Sequence, residues 1–200
     1  LFNMNNIKEM KLYSDAYRIF KDLKALGYEE DDKLSLEDVN QFDQLHYHGT
    51  LSVQEAIETI NIQENDNVLE VGAGWGGPSR YIAYKTRAHV SALELQQDYS
   101  EVGKELTLRT GLQRFVTHIN QDFLNFSQKS ACFNKIVSWL ALYHIPNRKK
   151  YTDKLFNLLN KNGMLFIEDL TFGSGFESSH KEMLEKKLFA NSLEKYSDYL

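Results

Sequence analysis

Residues 66 to 80, Asp-Asn-Val-Leu-Glu-Val-Gly-Ala-Gly-Trp-Gly-Gly-Pro-Ser-Arg, leave the chain few folds to choose from. Val68, Leu69 and Val71 are apolar and β-favouring, Gly72, Gly74, Gly76 and Gly77 let backbone approach a ligand, and Pro78 suits the first turn of a helix. A buried strand, a glycine loop and a helix start, in that order, are the parts of a nucleoside-cofactor site.

Gly72, Gly74 and Gly77 have the spacing at which a pyrophosphate rests on the amides of a helix N-terminus. Glu70 argues for a different guest, because a carboxylate at the mouth of the loop repels phosphate and welcomes an ammonium. S-adenosylmethionine, with one ammonium, one carboxylate, a sulfonium and no phosphate, is the expected cofactor, and S-adenosylhomocysteine the expected product.

From residue 66 strands alternate with helices. Strands are predicted near 67–71, 89–94, 115–119, 133–138 and 163–169, with helices near 78–86, 97–110 and 147–160. Gly111 and the pair Asn162-Gly163 are read as helix-ending residues. The expected fold is α/β, a Rossmann-like, doubly wound and mainly parallel sheet with helical N-terminal and C-terminal lid segments. The lid segments are 1–60 and 171–200, around a cofactor-binding core at 61–170. In the first, a helix over 8–26 carries Leu12, Ala16, Ile19, Phe20, Leu23 and Leu26 at helical spacing. A capping pair, Ser35 with Asp38, opens a helix to Gln44, and another helix runs from Leu51 to Ile60 with Thr50 as cap. Residues 177–200 are predicted helical.

Glu94 ends the second strand about 20 residues after the glycine loop, where a carboxylate can hold both ribose hydroxyls. Asp122 ends the third, a partner for the adenine amino group with the Phe123 ring beside it.

Composition narrows the partners. The 200 residues suffice for one domain that buries roughly 70% of its unfolded surface. With 28 acidic residues against 23 Lys and Arg the net charge is -5, which offers no footprint for a polyphosphate, so no nucleic-acid substrate is expected. The single cysteine, Cys132, makes no internal disulfide, and no spacing resembles a zinc site. The chain shows no signal peptide and no stretch of membrane-spanning length, so it reads as cytoplasmic and without a membrane partner. A small-molecule methyl acceptor is expected as partner, and a homodimer through an exposed sheet edge is a further expectation.

Glu70-Val-Gly-Ala-Gly-Trp-Gly, Glu94 and Asp122 resemble the cofactor motifs of class I S-adenosylmethionine-dependent methyltransferases over residues 41 to 170. Phe42-Asp43-Gln44-Leu45-His46 with Gly49, and Gly76-Gly77-Pro78-Ser79-Arg80-Tyr81, resemble the sarcosine/dimethylglycine methyltransferases. The helical prelude and a histidine after the fourth strand are similar to the phosphoethanolamine methyltransferases, although Leu140 stands where that family has an aspartate. The resemblance implies that Glu70 and the backbone from Gly72 to Gly76 hold the methionine end, Glu94 the ribose, and Asp122 and Phe123 the adenine. The expected cofactor contacts are Glu70, Gly72, Ala73, Gly74, Gly76, Glu94, Leu95, Asp122, Phe123 and Ser138. Because family members usually add two more strands, the chain also reads as a fragment.

Methyl transfer from a sulfonium is an in-line displacement in which the protein aligns the reactants, excludes water and removes a proton from the nucleophile. His144 is the leading base, with a helix-capping role as its alternative; His46 and Tyr47 are expected to line the acceptor pocket, and no metal is expected at His46 and His48. Trp139 and Tyr143 can face a cationic acceptor or simply be core. Ser138-Trp139-Leu140-Ala141 is not the Asn/Asp-Pro-Pro-Tyr/Phe motif of adenine and glutamine methylation, and Cys132 follows Ala131 rather than the proline of cytosine-C5 enzymes. N-methylation of a small amine is the expected activity. O- or C-methylation, a nicotinamide-dependent oxidoreductase and a non-catalytic S-adenosylmethionine-binding module remain as alternatives.

Overall fold

The computed structural model describes residues 14–145, 147–172 and 191–192. Its centre is β1 (Asn67–Val71), whose last four residues are buried. β1 pairs in parallel with β2 (His89–Glu94), Val68 opposite Val90 and Glu70 opposite Ala92. On its other side lies β4 (Phe133–Trp139), with Glu70 opposite Val137. β3 (Val116–Asn120) joins β2, and β5 (Leu159–Glu168) joins β4, so the parallel sheet has the order β3-β2-β1-β4-β5.

Successive side chains of a strand point to opposite faces, and the sheet is apolar on both. Val68, Val90, Ala92 and Val137 pack on one face with Val53, Ala56 and Ile57 of α3 (Thr50–Thr59) and with Ile82 and Ala83 of α4 (Gly77–Thr86). Leu69, Val71, Leu93 and Ile136 pack on the other with Tyr151, Leu155 and Leu158 of α6 (Arg148–Leu158). A third cluster joins Ile19 and Leu23 of α1 (Arg18–Ala25) to Trp75 and to Tyr99, Val102 and Leu106 of α5 (Gln97–Arg109). Each of the buried Val, Leu and Ile side chains contributes about 1.5–3 kcal/mol by leaving water.

The differences from the expected elements have local causes. Of the helix expected over 8–26, residues before 14 lie outside the described residues, 14–17 run through a bend and a turn, and α1 starts at Arg18. α2 (Leu36–Val39) stops short of Gln44, although Ser35 Oγ caps it by accepting from the Asp38 amide at 3.4 Å. Gly49, with φ +53°, occupies the position before α3, and Thr50 is already helical. Asn162-Gly163 does not end a helix. α6 stops at Leu158 and β5 begins at once, and the pairing then jumps from Phe133–Leu159 to Lys135–Met164 around Asn162 at φ +68°. β6 (Thr171–Phe172) pairs in parallel with β7 (Asn191–Ser192), so two residues of the stretch expected to be helical are extended. Residues 173–190 and 193–200 lie outside the described residues.

Candidate cofactor and acceptor site

A cavity of about 580 Å³ opens beyond the carboxyl ends of β1, β2 and β4, where the sheet's neighbours leave β1 on opposite sides. That is where open α/β sheets place their ligands. The glycine loop forms one wall. The amides of Gly72 and Ala73 both donate to the Leu93 carbonyl, at 2.9 and 3.0 Å, which ties the loop to the end of β2. Gly72 has φ +77°, and a Cβ on it would stand 2.2 Å from Ala141 Cβ, so two strand-end loops meet there with room only for hydrogen.

Glu70 lines this cavity and is only 2% exposed; Ser79 Oγ, on the first turn of α4, donates to its Oε2. Burial is the main cause that pushes its pKa up to about 8, and the nearby Glu94 adds to it, while Ser79 and Arg80 pull the other way. Glu94 Oε2 accepts from the Gly74 amide at 2.8 Å and Oε1 from the Gln96 amide at 2.7 Å. Burial raises its pKa too, offset by those amides. Asp122 accepts from the Leu124 amide at 2.9 Å and from Asn125 Nδ2 at 3.0 Å, which fixes the turn that presents Phe123.

Of the expected cofactor contacts, Glu70, Gly72, Ala73, Gly74, Glu94, Leu95, Asp122 and Phe123 line the cavity. Gly76 and Ser138 are not among its lining residues. Gly76 makes room on another side, where a Cβ would stand 2.5 Å from His118 Cε1. Ser138 is buried and its hydroxyl donates to the Val71 carbonyl at 2.9 Å, bracing β4 against β1.

On the acceptor side His144 and His46 line the cavity, whereas Tyr47 is 60% exposed and is not among the lining residues. Burial lowers the pKa of His144 to about 4, so its ring is neutral at pH 7. Asn147 Oδ1 accepts from the Lys150 amide at 3.0 Å and caps α6, the role that was the alternative for His144. Trp139 also lines the cavity, but His46 stacks on it at 5.5 Å and Phe166 packs against it at 5.7 Å. Its Nε1 donates to Ser52 Oγ at 2.9 Å, and Ser52 donates to Glu168 Oε2 at 2.5 Å. Tyr143 is buried in the core.

Two contributors were not anticipated. Asp43 lines the cavity and forms a fully buried ion pair with Arg80 at 2.8 Å, and the guanidinium also donates to the carbonyls of Trp75 and Gly103 and to Thr107 Oγ1. Both residues stand in segments that carry the family resemblance, yet nothing in their spacing announces the pair. Among the described residues no group of three metal-ligating side chains comes together, and no helix is long and apolar enough to cross a membrane.

The profile of the family described as mycolic acid cyclopropane synthetase matches residues 39–192. The chain is 29% identical over 122 residues to a sterol 24-C-methyltransferase of Eremothecium gossypii, covering 60% of this chain and 32% of that protein. It is 24% identical over 118 residues to the glycine/sarcosine/dimethylglycine N-methyltransferase of Actinopolyspora halophila, covering 59% and 21%. The match thus spans about a third of the first relative and a fifth of the second. The crystal structure of Haemonchus contortus phosphoethanolamine N-methyltransferase 2 in complex with S-adenosyl-L-methionine superposes with a TM-score of 0.78 at 17% identity, covering 100% of this chain and 43% of that one.

Proposed function

Because the chain belongs to the mycolic acid cyclopropane synthetase family of S-adenosylmethionine-dependent methyltransferases, we propose that it carries a methyl group from S-adenosylmethionine to a small molecule, with an amine as acceptor. The observation that carries the reading is the meeting of Glu70, Glu94 and Asp122 with the glycine loop on one cavity at the switch in strand order.

The donor set fits the cofactor. Glu70 is a buried carboxyl held against ionisation for want of a counter-charge, and an arriving ammonium supplies that charge and lets it give up its proton. Glu94 is fixed by two amides and keeps lone pairs for two hydroxyls, and Asp122 with Phe123 offers an acceptor and a ring face to adenine. The bound sulfonium supplies an electrophilic methyl group and a neutral leaving sulfur. The protein's part is alignment of the acceptor with that methyl, exclusion of water, and acceptance by His144 of the proton the amine gives up. His144 lines the cavity and its unprotonated ring has a lone pair to offer there at pH 7, while the burial that keeps it neutral also weakens it as a base.

Binding of S-adenosylhomocysteine by calorimetry, followed by mass spectrometry of products formed from labelled S-adenosylmethionine with a panel of small amines, tests the reading. Methylated amine and micromolar binding are expected; NADH or NADPH binding in its place overturns it. Methylation at carbon is a second reading, favoured by the sterol 24-C-methyltransferase relative, and a label located on carbon selects it. Lid segments at 1–60 and 171–200, a cytoplasmic setting and a homodimer complete the proposal.

A further inference from the structure

His46 is held from two sides by oxygen. Its Nδ1 lies 2.9 Å from the Tyr47 carbonyl oxygen and its Nε2 lies 3.0 Å from Gln44 Oε1. Neither oxygen has a hydrogen to give. The Gln44 amide cannot be turned over without cost, because its nitrogen donates to Asp43 Oδ1 at 2.8 Å and reaches Asn40 Oδ1 at 3.3 Å, and Asp43 is ion-paired with Arg80. A neutral imidazole has one N–H and would set a lone pair against one of these oxygens, whereas an imidazolium satisfies both.

The surroundings pull on the charge in both directions. The ring stacks on Trp139 at 5.5 Å with 29° between planes, an arrangement in which an aromatic face attracts a cation. Burial draws the imidazole's pKa below its ordinary value; the Tyr47 carbonyl, Glu168 of β5 and Asp43 act against that pull, and His48 acts with it.

We propose that His46 is a doubly donating imidazolium that pins residues 43–47 over the cavity, a positioning residue and not a proton acceptor. Asp43, Leu45 and His46 all line the cavity, and Leu45 Cδ1 would stand 3.1 Å from a Cβ placed on Gly74, so this segment closes against the glycine loop. The clasp runs from Arg80 through Asp43 and Gln44 to His46 and ends on the indole of Trp139.

The inference deepens the reading of the cavity as a cofactor site, and its test is separable because it reads the ring itself. Nitrogen NMR of the full chain labelled at its histidines, with and without S-adenosylhomocysteine, is expected to show both His46 ring nitrogens carrying hydrogen at pH 6. Spectra of His46→Phe and His46→Gln identify the signal. His46→Phe is expected to bind S-adenosylhomocysteine at least about tenfold more weakly, as the loss of hydrogen bonds from a charged donor predicts, with His46→Gln, which keeps one donor, in between. One bare ring nitrogen at pH 6, or unchanged affinity in His46→Phe, overturns the proposal. If wild-type protein binds no S-adenosylhomocysteine, the cofactor reading fails while the NMR result still decides the state of the ring.

Discussion

Glu70 is a carboxyl that burial keeps protonated up to about pH 8, where 4.5 is ordinary. Between those values the native state holds a proton that the unfolded chain releases, so the unliganded protein loses stability as pH rises from 4.5 to 8 and levels off beyond. Glu70→Gln removes this dependence: denaturation midpoints of the variant and the wild type should diverge over that window in the variant's favour. The same substitution should weaken S-adenosylhomocysteine binding at least tenfold, on the order of the loss of one charge-assisted contact, and wild-type binding near pH 7 should release protons, read by calorimetry in buffers of different ionisation enthalpy. For His144, truncation to Ala should cost about 10²–10⁴ in turnover while cofactor affinity stays put. Gly72→Ala should lose about 1–3 kcal/mol in urea unfolding from its left-handed backbone alone, before the collision with Ala141 is counted. The acids at the strand tips were legible because a carboxylate that closes an apolar run has few reasons to be there. Tyr47, Gly76 and Ser138 were not, since residues beside a motif can face any direction and only packing decides which.

At the scale of elements, β1 and β2 have the bounds their sequence predicts, because each is a short run centred on β-favouring apolar residues with a carboxylate near its end and turn residues on either side. β5 starts four residues ahead of the strand its sequence predicts, at Leu159. Asn162-Gly163 looks like the end of a helix, and the same left-handed backbone also serves a break in strand pairing; only the partner strand distinguishes them. The Asp43–Arg80 pair shows the same limit, since it joins the segment after α2 to α4 across positions with no common period. Asp43→Ala leaves a guanidinium buried without its counter-ion and should cost roughly 3–5 kcal/mol in urea unfolding. Asp43→Leu combined with Arg80→Met should be milder than Asp43→Ala, because no lone charge remains inside.

The molecule as a whole is a parallel sheet with its cavity at one end and helices on both faces. Saturation with S-adenosylhomocysteine at one hundred times its dissociation constant should add about 2.7 kcal/mol of stability. Hydrogen exchange should slow at residues 70–76, 94–96 and 121–125, and remain unchanged in the connector at 61–66. One residue of the glycine loop faces away from all this. Trp75 is fully buried, stacks on Tyr99 at 5.2 Å, lies under the guanidinium of Arg18, and donates through Nε1 to the Ala16 carbonyl at 2.9 Å. The loop is therefore hung from behind on a peg that Ala16 and Arg18 supply. A protease nick that frees the stretch ahead of residue 27 would slacken the grip on the nucleoside without altering one atom that touches it.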